Sequence, residues 1–353
     1  MITGRLLNGS CPPVGLVVES EPDMGPVRHL AATAAQAQGF DQVHAKRVSL
    51  VATEMATNLV KYARSGRMLV QLVEAGDLRG VELVATSGPG VDDTDRWTAT
   101  GDATGGEADA RLGAIARHSD LFDVYSVVGR GTVMMARLWG GGPSTAVDAR
   151  FRVGSMTEAI PGEVVTGDAW AVEQLGTRAV ALVADGLGHG LEAAAASAGA
   201  VRAFRQHHLE SVEDIASHIH GALHATRGAA IAVAEVDADV GRVRFCGIGN
   251  IAARLIIAGG EHQLVSLYGI AGYQAPTIRA FEGAWENGAL LVIHTDGLSP
   301  KWGLGDYPEL HRHHPQLAAA TVMRDARRAD DDALVLALSG GAEVVSTMES
   351  EEG

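Results

Sequence analysis

Aspartates stand at the ends of apolar strand-like runs in this chain, and they do so four times. The run 179–184 stops in the turn Asp185-Gly186-Leu187-Gly188-His189-Gly190, and residues 191–203 then read as an alanine-rich helix. Gly167-Asp168, Asp296-Gly297 after the strand 290–295, and Asp331-Asp332 before the strand 333–338 repeat the theme. A single Asp-Gly is ordinary turn chemistry. Four carboxylates that folding gathers are another matter, because like charges raise one another's pKa and resist leaving water unless a cation sits among them. Divalent ions accept oxygen ligands readily, so the pattern points to a two-metal hydrolytic centre.

The motifs around these aspartates carry a resemblance. In order they are Pro161-Gly162-Glu163-Val164-Val165-Thr166-Gly167-Asp168-Ala169-Trp170, Asp185 to Gly190, Thr226-Arg227-Gly228, Gly247-Ile248-Gly249-Asn250, His294-Thr295-Asp296-Gly297 and Asp331-Asp332-Ala333. Residues 150–340 thereby resemble the SpoIIE-like metal-dependent protein phosphatases (PPM), in the short RsbX type. That resemblance implies an αββα sandwich of two antiparallel sheets with two ions at one end. It makes Asp185 the ligand bridging both ions, with the Gly186 carbonyl on one of them. Asp296 and Asp331 complete the second ion's shell, and Asp168 serves the first directly or through water. Asp185 and Asp296 are the residues on which catalysis depends, and a bridging water of lowered pKa is the nucleophile. Oxygen-only ligation suits magnesium or manganese. Asp332 reads as a cap or a support for its neighbour, Asn250 as a turn residue near the site, and His189 either polarises a ligand or packs. Leu334 departs from the threonine often found there.

Composition limits the alternatives. A chain of 353 residues with 46% hydrophobic residues has room for two domains, each with a core. The net charge of −15 argues against nucleic acid or an anionic membrane as partner. Apolar runs are cut by glycine or charge too early for a membrane span, and the start lacks a secretory apolar block. Two distant cysteines, Cys11 and Cys246, suggest a reducing cytosol rather than a disulfide framework. The cluster His311-Arg312-His313-His314 reads as a polar surface loop outside the site.

In the front half a helix is predicted over 26–38, ending at Gly39, and Asp41 caps a longer one over 43–63. Strands follow at 68–73 and 81–85, a loop to about 107, a short helix over 110–117 and a strand pair at 122–126 and 132–138. Glu54 and Asn58 lie one turn apart on one helix face. Together with Gly88-Pro89-Gly90, Leu112-Gly113-Ala114-Ile115 and Gly131-Thr132, they resemble the GHKL ATP-binding fold, an α/β sandwich, in its RsbT-like serine-kinase form. That resemblance places magnesium on Asn58, phosphoryl transfer near Glu54, and the nucleotide beside Gly88, Gly90, Gly131 and Thr132. Two departures count against ATP binding. Thr86 stands where the family has an adenine-binding aspartate, and Asp109-Ala110-Arg111 replaces a bare Gly-Thr-Gly.

The expected organisation is α+β in two domains. Residues 1–139 form the kinase-like module with a degenerate nucleotide site, 140–149 a glycine-rich linker, 150–340 the phosphatase domain and 341–353 an acidic tail. Within the second domain, 164–175 reads as a hairpin holding Asp168, and Ser211 caps a helix over 212–226. The leading expectation is a cytoplasmic, metal-dependent serine/threonine phosphatase. Its partner is a phosphorylated STAS-domain protein of the RsbS/RsbR or anti-sigma-antagonist type, and the front module docks or regulates. A bifunctional kinase and phosphatase is the alternative, and a homodimer is left open.

Overall fold

The computed structural model describes residues 5–6, 13–63, 65–75, 78–88, 107–140 and 149–343. The chain divides into two compact units, one of residues 1–8 with 148–343 and the other of 9–147 with 344–353. The linker positions 141–148, Cys11, Gly90 and the acidic tail from 344 lie outside the described residues.

The chain opens with β1 (Arg5–Leu6), and the second unit then runs β2 (Val14–Val18), α1 (Met24–Ala37), α2 (Gln42–Tyr62), β3 (Gly66–Ala75), β4 (Leu78–Ser87), α3 (Glu107–His118), β5 (Leu121–Val127) and β6 (Gly131–Trp139). Its sheet, in the order β2-β3-β4-β6-β5, is antiparallel throughout. The Asp41 carboxylate accepts from the His44 N–H at 2.8 Å and starts α2, as its sequence position demands. Val48, Val51, Met55 and Leu59 then fall on one helix face and bury against Met68, Val70, Leu83 and Met134 of the sheet. Each such side chain contributes about 1.5–3 kcal/mol by leaving water.

The other unit contains β7 (Ala149–Glu158), β8 (Asp168–Leu175), β9 (Arg178–Gly186), α4 (Leu191–His207), α5 (Val212–Ala222), β10 (Ala229–Asp237), β11 (Arg242–Ile248), β12 (Ala252–Ile257), β13 (Gly260–Leu264), β14 (Ser266–Leu267), β15 (Phe281–Ala284), β16 (Leu290–His294), α6 (Pro315–Ala326) and β17 (Ala333–Glu343). One sheet follows β1-β8-β9-β10-β11-β14, with β15 also on β11, and the other follows β13-β12-β16-β17-β7. Every pairing is antiparallel except the short β11–β14 contact. Trp170, Val183 and Phe245 of the first sheet bury against Phe151, Leu291 and Leu336 of the second. The helices α4 and α5 cover the outer face of the first sheet through Phe204, Ile215 and Ile219. The start of α6 lies against β7, where Gln316 bonds both the N–H and the carbonyl of Ser155, at 2.8 and 2.9 Å. The layers are therefore helix, sheet, sheet, helix.

Several local readings need correction. Residues 164–167 are not a strand: the hairpin is β8 with β9, and the preceding loop turns through Gly162 at φ +97°. The helix after Ser211 stops at Ala222, because the Thr226 hydroxyl bonds back to the Leu223 carbonyl at 2.7 Å and closes a turn. The segment behind the histidine cluster is α6, and His314 is buried at its start, its Nδ1 accepting the Gln316 N–H at 3.1 Å. That helix is buried over nearly every residue from Pro315 to Met323, so it has no polar face and no amphipathic period to read.

Candidate metal centre

Register brings the first two aspartates together. Asp168 opens β8, Asp185 lies next to the end of β9, and the antiparallel ladder sets them directly opposite one another. From the second sheet, β16 ends at His294 and delivers Thr295 and Asp296, while β17 is preceded by Asp331 and Asp332. Thr295 joins the two sheets at this end. Its buried hydroxyl donates to Asp168 Oδ2 at 2.8 Å and accepts the Leu334 N–H at 2.9 Å.

The remaining contacts fix each carboxylate differently. Asp296 Oδ2 accepts from Asn250 Nδ2 at 2.6 Å. Asp331 Oδ1 accepts the N–H of Asp332 at 2.9 Å. Asp332 is buried and turns away to bind backbone, accepting Ile160 N–H at 2.7 Å and Gly167 N–H at 2.6 Å. It thereby pins the loop that leads into Asp168. The glycines of the two Asp-Gly pairs are sterically required: a Cβ on Gly186 would lie 2.1 Å from the Ala193 carbonyl oxygen, and one on Gly297 would lie 1.8 Å from that of Asp332.

These carboxylates disturb one another. Burial pushes the Asp168 carboxyl well above the usual range; Asp185 adds to this, the Thr295 hydrogen bond opposes it, and Asp332 and Asp331 raise it further. Asp185 is pushed up to about 8 by burial and then by Asp296, Asp331 and Asp332. Asp331 is raised by burial, against the Asp332 N–H, with Asp296 and Asp332 adding to the rise. Asp168 Oδ1 is buried without a hydrogen-bond partner. An unsatisfied carboxylate oxygen beside further carboxylates matches the donor chemistry of hard divalent ions, and the residues present fit such ions. Among the described residues, no three of these aspartates bring oxygens within 4.8 Å of one another.

Asp168, Asp185, Gly186, Asp296 and Asp331 are thus brought to one end of the two sheets. Sequence reasoning passed over Thr295 as a residue in its own right; the available signal was a hydroxyl at the end of an apolar strand beside an aspartate. Behind it, His294 is buried and its pKa is lowered by that burial. Its Nδ1 lies 2.9 Å from the Thr295 carbonyl, and its Nε2 accepts from Trp302 Nε1 at 3.2 Å. At the turn after Gly186, His189 lies 3.0 Å from Glu163 and Arg227 pairs with Glu192.

In the other unit, Glu54 and Asn58 lie on α2. Asn58 is 1% exposed, with neither amide atom bonded. Gly131 takes φ +94° against the backbone of Ser87 and Gly88, where a Cβ would meet the Ser87 carbonyl oxygen at 2.2 Å. Thr132 is buried and shares hydrogen bonds with Ser87 and Ser126. Gly131 and Thr132 therefore have structural duties of their own. Thr86 is partly buried on β4, while Gly90 and the side chains of Asp109 and Arg111 lie outside the described residues.

Comparison with known proteins adds four relationships. The family model of stage II sporulation protein E (SpoIIE) matches residues 176–339. The serine/threonine-protein kinase RsbT of Bacillus subtilis (strain 168) is 30% identical over 123 residues, which span 35% of this chain and 92% of RsbT. The phosphoserine phosphatase RsbX of the same organism is 28% identical over 143 residues, 39% of this chain and 70% of RsbX. A chain solved in work on the bacterial stressosome, as a modular system adapted to control secondary messenger signalling, has a TM-score of 0.51 and 29% identity. It covers 53% of this chain and 98% of its own length. Among the described residues, no helix is long and apolar enough to cross a membrane.

Proposed function

We propose, for a chain that carries a SpoIIE-type serine/threonine protein phosphatase domain over residues 176–339 and belongs with RsbT through 123 of its residues, that the two activities' frameworks are fused in one regulator. Asp168, Asp185, the Gly186 carbonyl, Asp296 and Asp331 hold two divalent cations, magnesium or manganese. The substrate is phosphoserine or phosphothreonine on a STAS-domain regulatory protein in the cytosol. The carrying observation is the convergence of carboxylates that resist ionising together, with Asp185 raised to about 8 and one oxygen of Asp168 left unbonded. The similarity to RsbX, to RsbT and to a stressosome chain supports the substrate class.

When bound, the ions neutralise charge on a phosphoryl group and acidify a water. The chain's own contribution is to hold the donors. Asp185 neighbours Asp168 across the ladder and feels Asp296 and Asp331 from the other sheet, so it is the residue that would serve both ions. Thr295 fixes the rotamer of Asp168, Asn250 orients Asp296, and Asp332 holds the incoming loop. Asp185→Asn and Asp296→Ala are each expected to lower manganese-dependent phosphate release from a phosphorylated STAS protein by about 100-fold or more. Full activity in either folded variant rules the assignment out.

A second reading keeps the RsbT-like half active as a kinase for the protein that the other half dephosphorylates. Asn58 favours it, because a buried amide with no partner is costly unless a ligand reaches it. Incubating the Asp185→Asn variant with labelled ATP and a STAS protein separates the two. Label transfer that disappears in Asn58→Ala supports the kinase, and no transfer leaves a docking or regulatory module.

A further inference from the structure

Away from the aspartates, the hairpin of α4 and α5 assembles a different set of donors. His207 closes α4, Glu210 lies in the turn, and His218 lies on α5. His207 Nδ1 is 2.9 Å from one Glu210 oxygen and His218 Nε2 is 3.0 Å from the other. The two imidazoles stack with centroids 3.7 Å apart and planes 7° apart. Among the described residues, this is the one place where three histidine, cysteine or acidic donors lie within 4.8 Å of one another.

The backbone that holds them is already fixed. The Glu210 N–H donates to the His207 carbonyl at 2.9 Å. Ser211 caps α5, its hydroxyl accepting the Asp214 N–H at 3.2 Å and donating to the Asp214 carboxylate at 2.6 Å. Because α4 starts just past Gly190 and runs 17 residues, its far end stands roughly 25 Å along the helix from the aspartate turn. The two sites share no residue.

We propose that His207, Glu210 and His218 form a binding site for a zinc-class transition ion that clamps the α4–α5 hairpin. Two imidazole nitrogens are borderline ligands, and with one carboxylate they suit zinc, nickel or copper and match magnesium poorly. Three protein ligands leave a fourth, tetrahedral position for water. The ion takes the place of the ring protons facing Glu210. Each ring then presents an unprotonated nitrogen to the ion in place of its contact with Glu210, which makes binding weaker as the imidazoles protonate. Side-chain exposures of 28%, 40% and 48% for His207, Glu210 and His218 leave the ion a path from solvent and the rings room to rotate.

The test uses the full chain, stripped with a chelator and titrated with Zn2+ against a chromophoric competitor. The same samples are then titrated with Co2+ and followed by visible absorption. His207→Ala and His218→Ala should each weaken zinc binding by about tenfold or more and remove the imidazole-dependent cobalt band. Asp185→Asn should retain both, which keeps this site separate from the phosphatase reading. Zinc should raise the melting temperature of the wild type by more than that of the His207→Ala, His218→Ala double variant, which keeps the aspartates. The milder Glu210→Gln, which preserves the hydrogen-bonding shape, should still lose affinity. Equal zinc affinity and an identical cobalt spectrum in the double variant would show only a hydrogen-bonded ion-pair cluster and overturn the proposal.

Discussion

Asp331 and Asp332 are adjacent and face different partners. Asp332 accepts two backbone N–H groups in a site 3% exposed, so Asp332→Ala strands both donors and should cost about 3 kcal/mol of stability, read from the urea midpoint. Asp331→Ala relieves repulsion with Asp296 and Asp332, and should leave the metal-free protein at least as stable while abolishing metal-dependent turnover. A loss of stability from both would erase the distinction. Asp185 supplies a pH signature as well. In the unfolded chain its carboxyl ionises near 3.8; in the folded, metal-free chain it holds its proton to about 8. Between those values the folded state binds more protons, so stability falls as pH rises through the window and levels off above it. Urea midpoints in chelator at about pH 5 and pH 8 should therefore drop with pH in the wild type, and drop less in Asp185→Asn.

At the level of elements, the site depends on strand ends that meet at backbone contact. Gly297→Ala drives a Cβ to within 1.8 Å of the Asp332 carbonyl oxygen, so the turn after β16 and the start of β17 cannot both stay in place. The expected cost is about 3 kcal/mol or more, whereas Gly259→Ala, with nothing within 4 Å, should change the stability by less than about 0.5 kcal/mol, both read from urea unfolding. Elements differ in how openly their residues announce them. The helix α2 was legible because one face is apolar and an aspartate caps it. The helix α6 was not, because burial on all sides removes the contrast on which periodicity rests. Residues 164–167 imitate a strand in composition, and the loop that contains them is tied at Ile160 and Gly167 by a carboxylate from position 332, far away in sequence.

At the scale of the molecule, the prediction concerns what the RsbT-like portion contributes. Removing residues 1–139 should leave turnover of a small aryl phosphate within about threefold and raise KM for the phosphoprotein by about tenfold, since a lost docking module costs encounter and not chemistry. An unchanged phosphoprotein KM discards docking. The deletion also removes β1, which pairs Arg5 with Glu173 and Leu6 with Val172 on the β8 edge, so a truncation that keeps residues 1–8 is the matched control. The sequence by itself determined the aspartates, their glycines and the strands that carry them, because turn chemistry and alternating burial are local properties. Only the tertiary structure decided that Asp168 faces Asp185, that Thr295 bridges the sheets and that Asp332 supports the loop. Those relations depend on register and on contacts across more than a hundred residues, which no local pattern encodes.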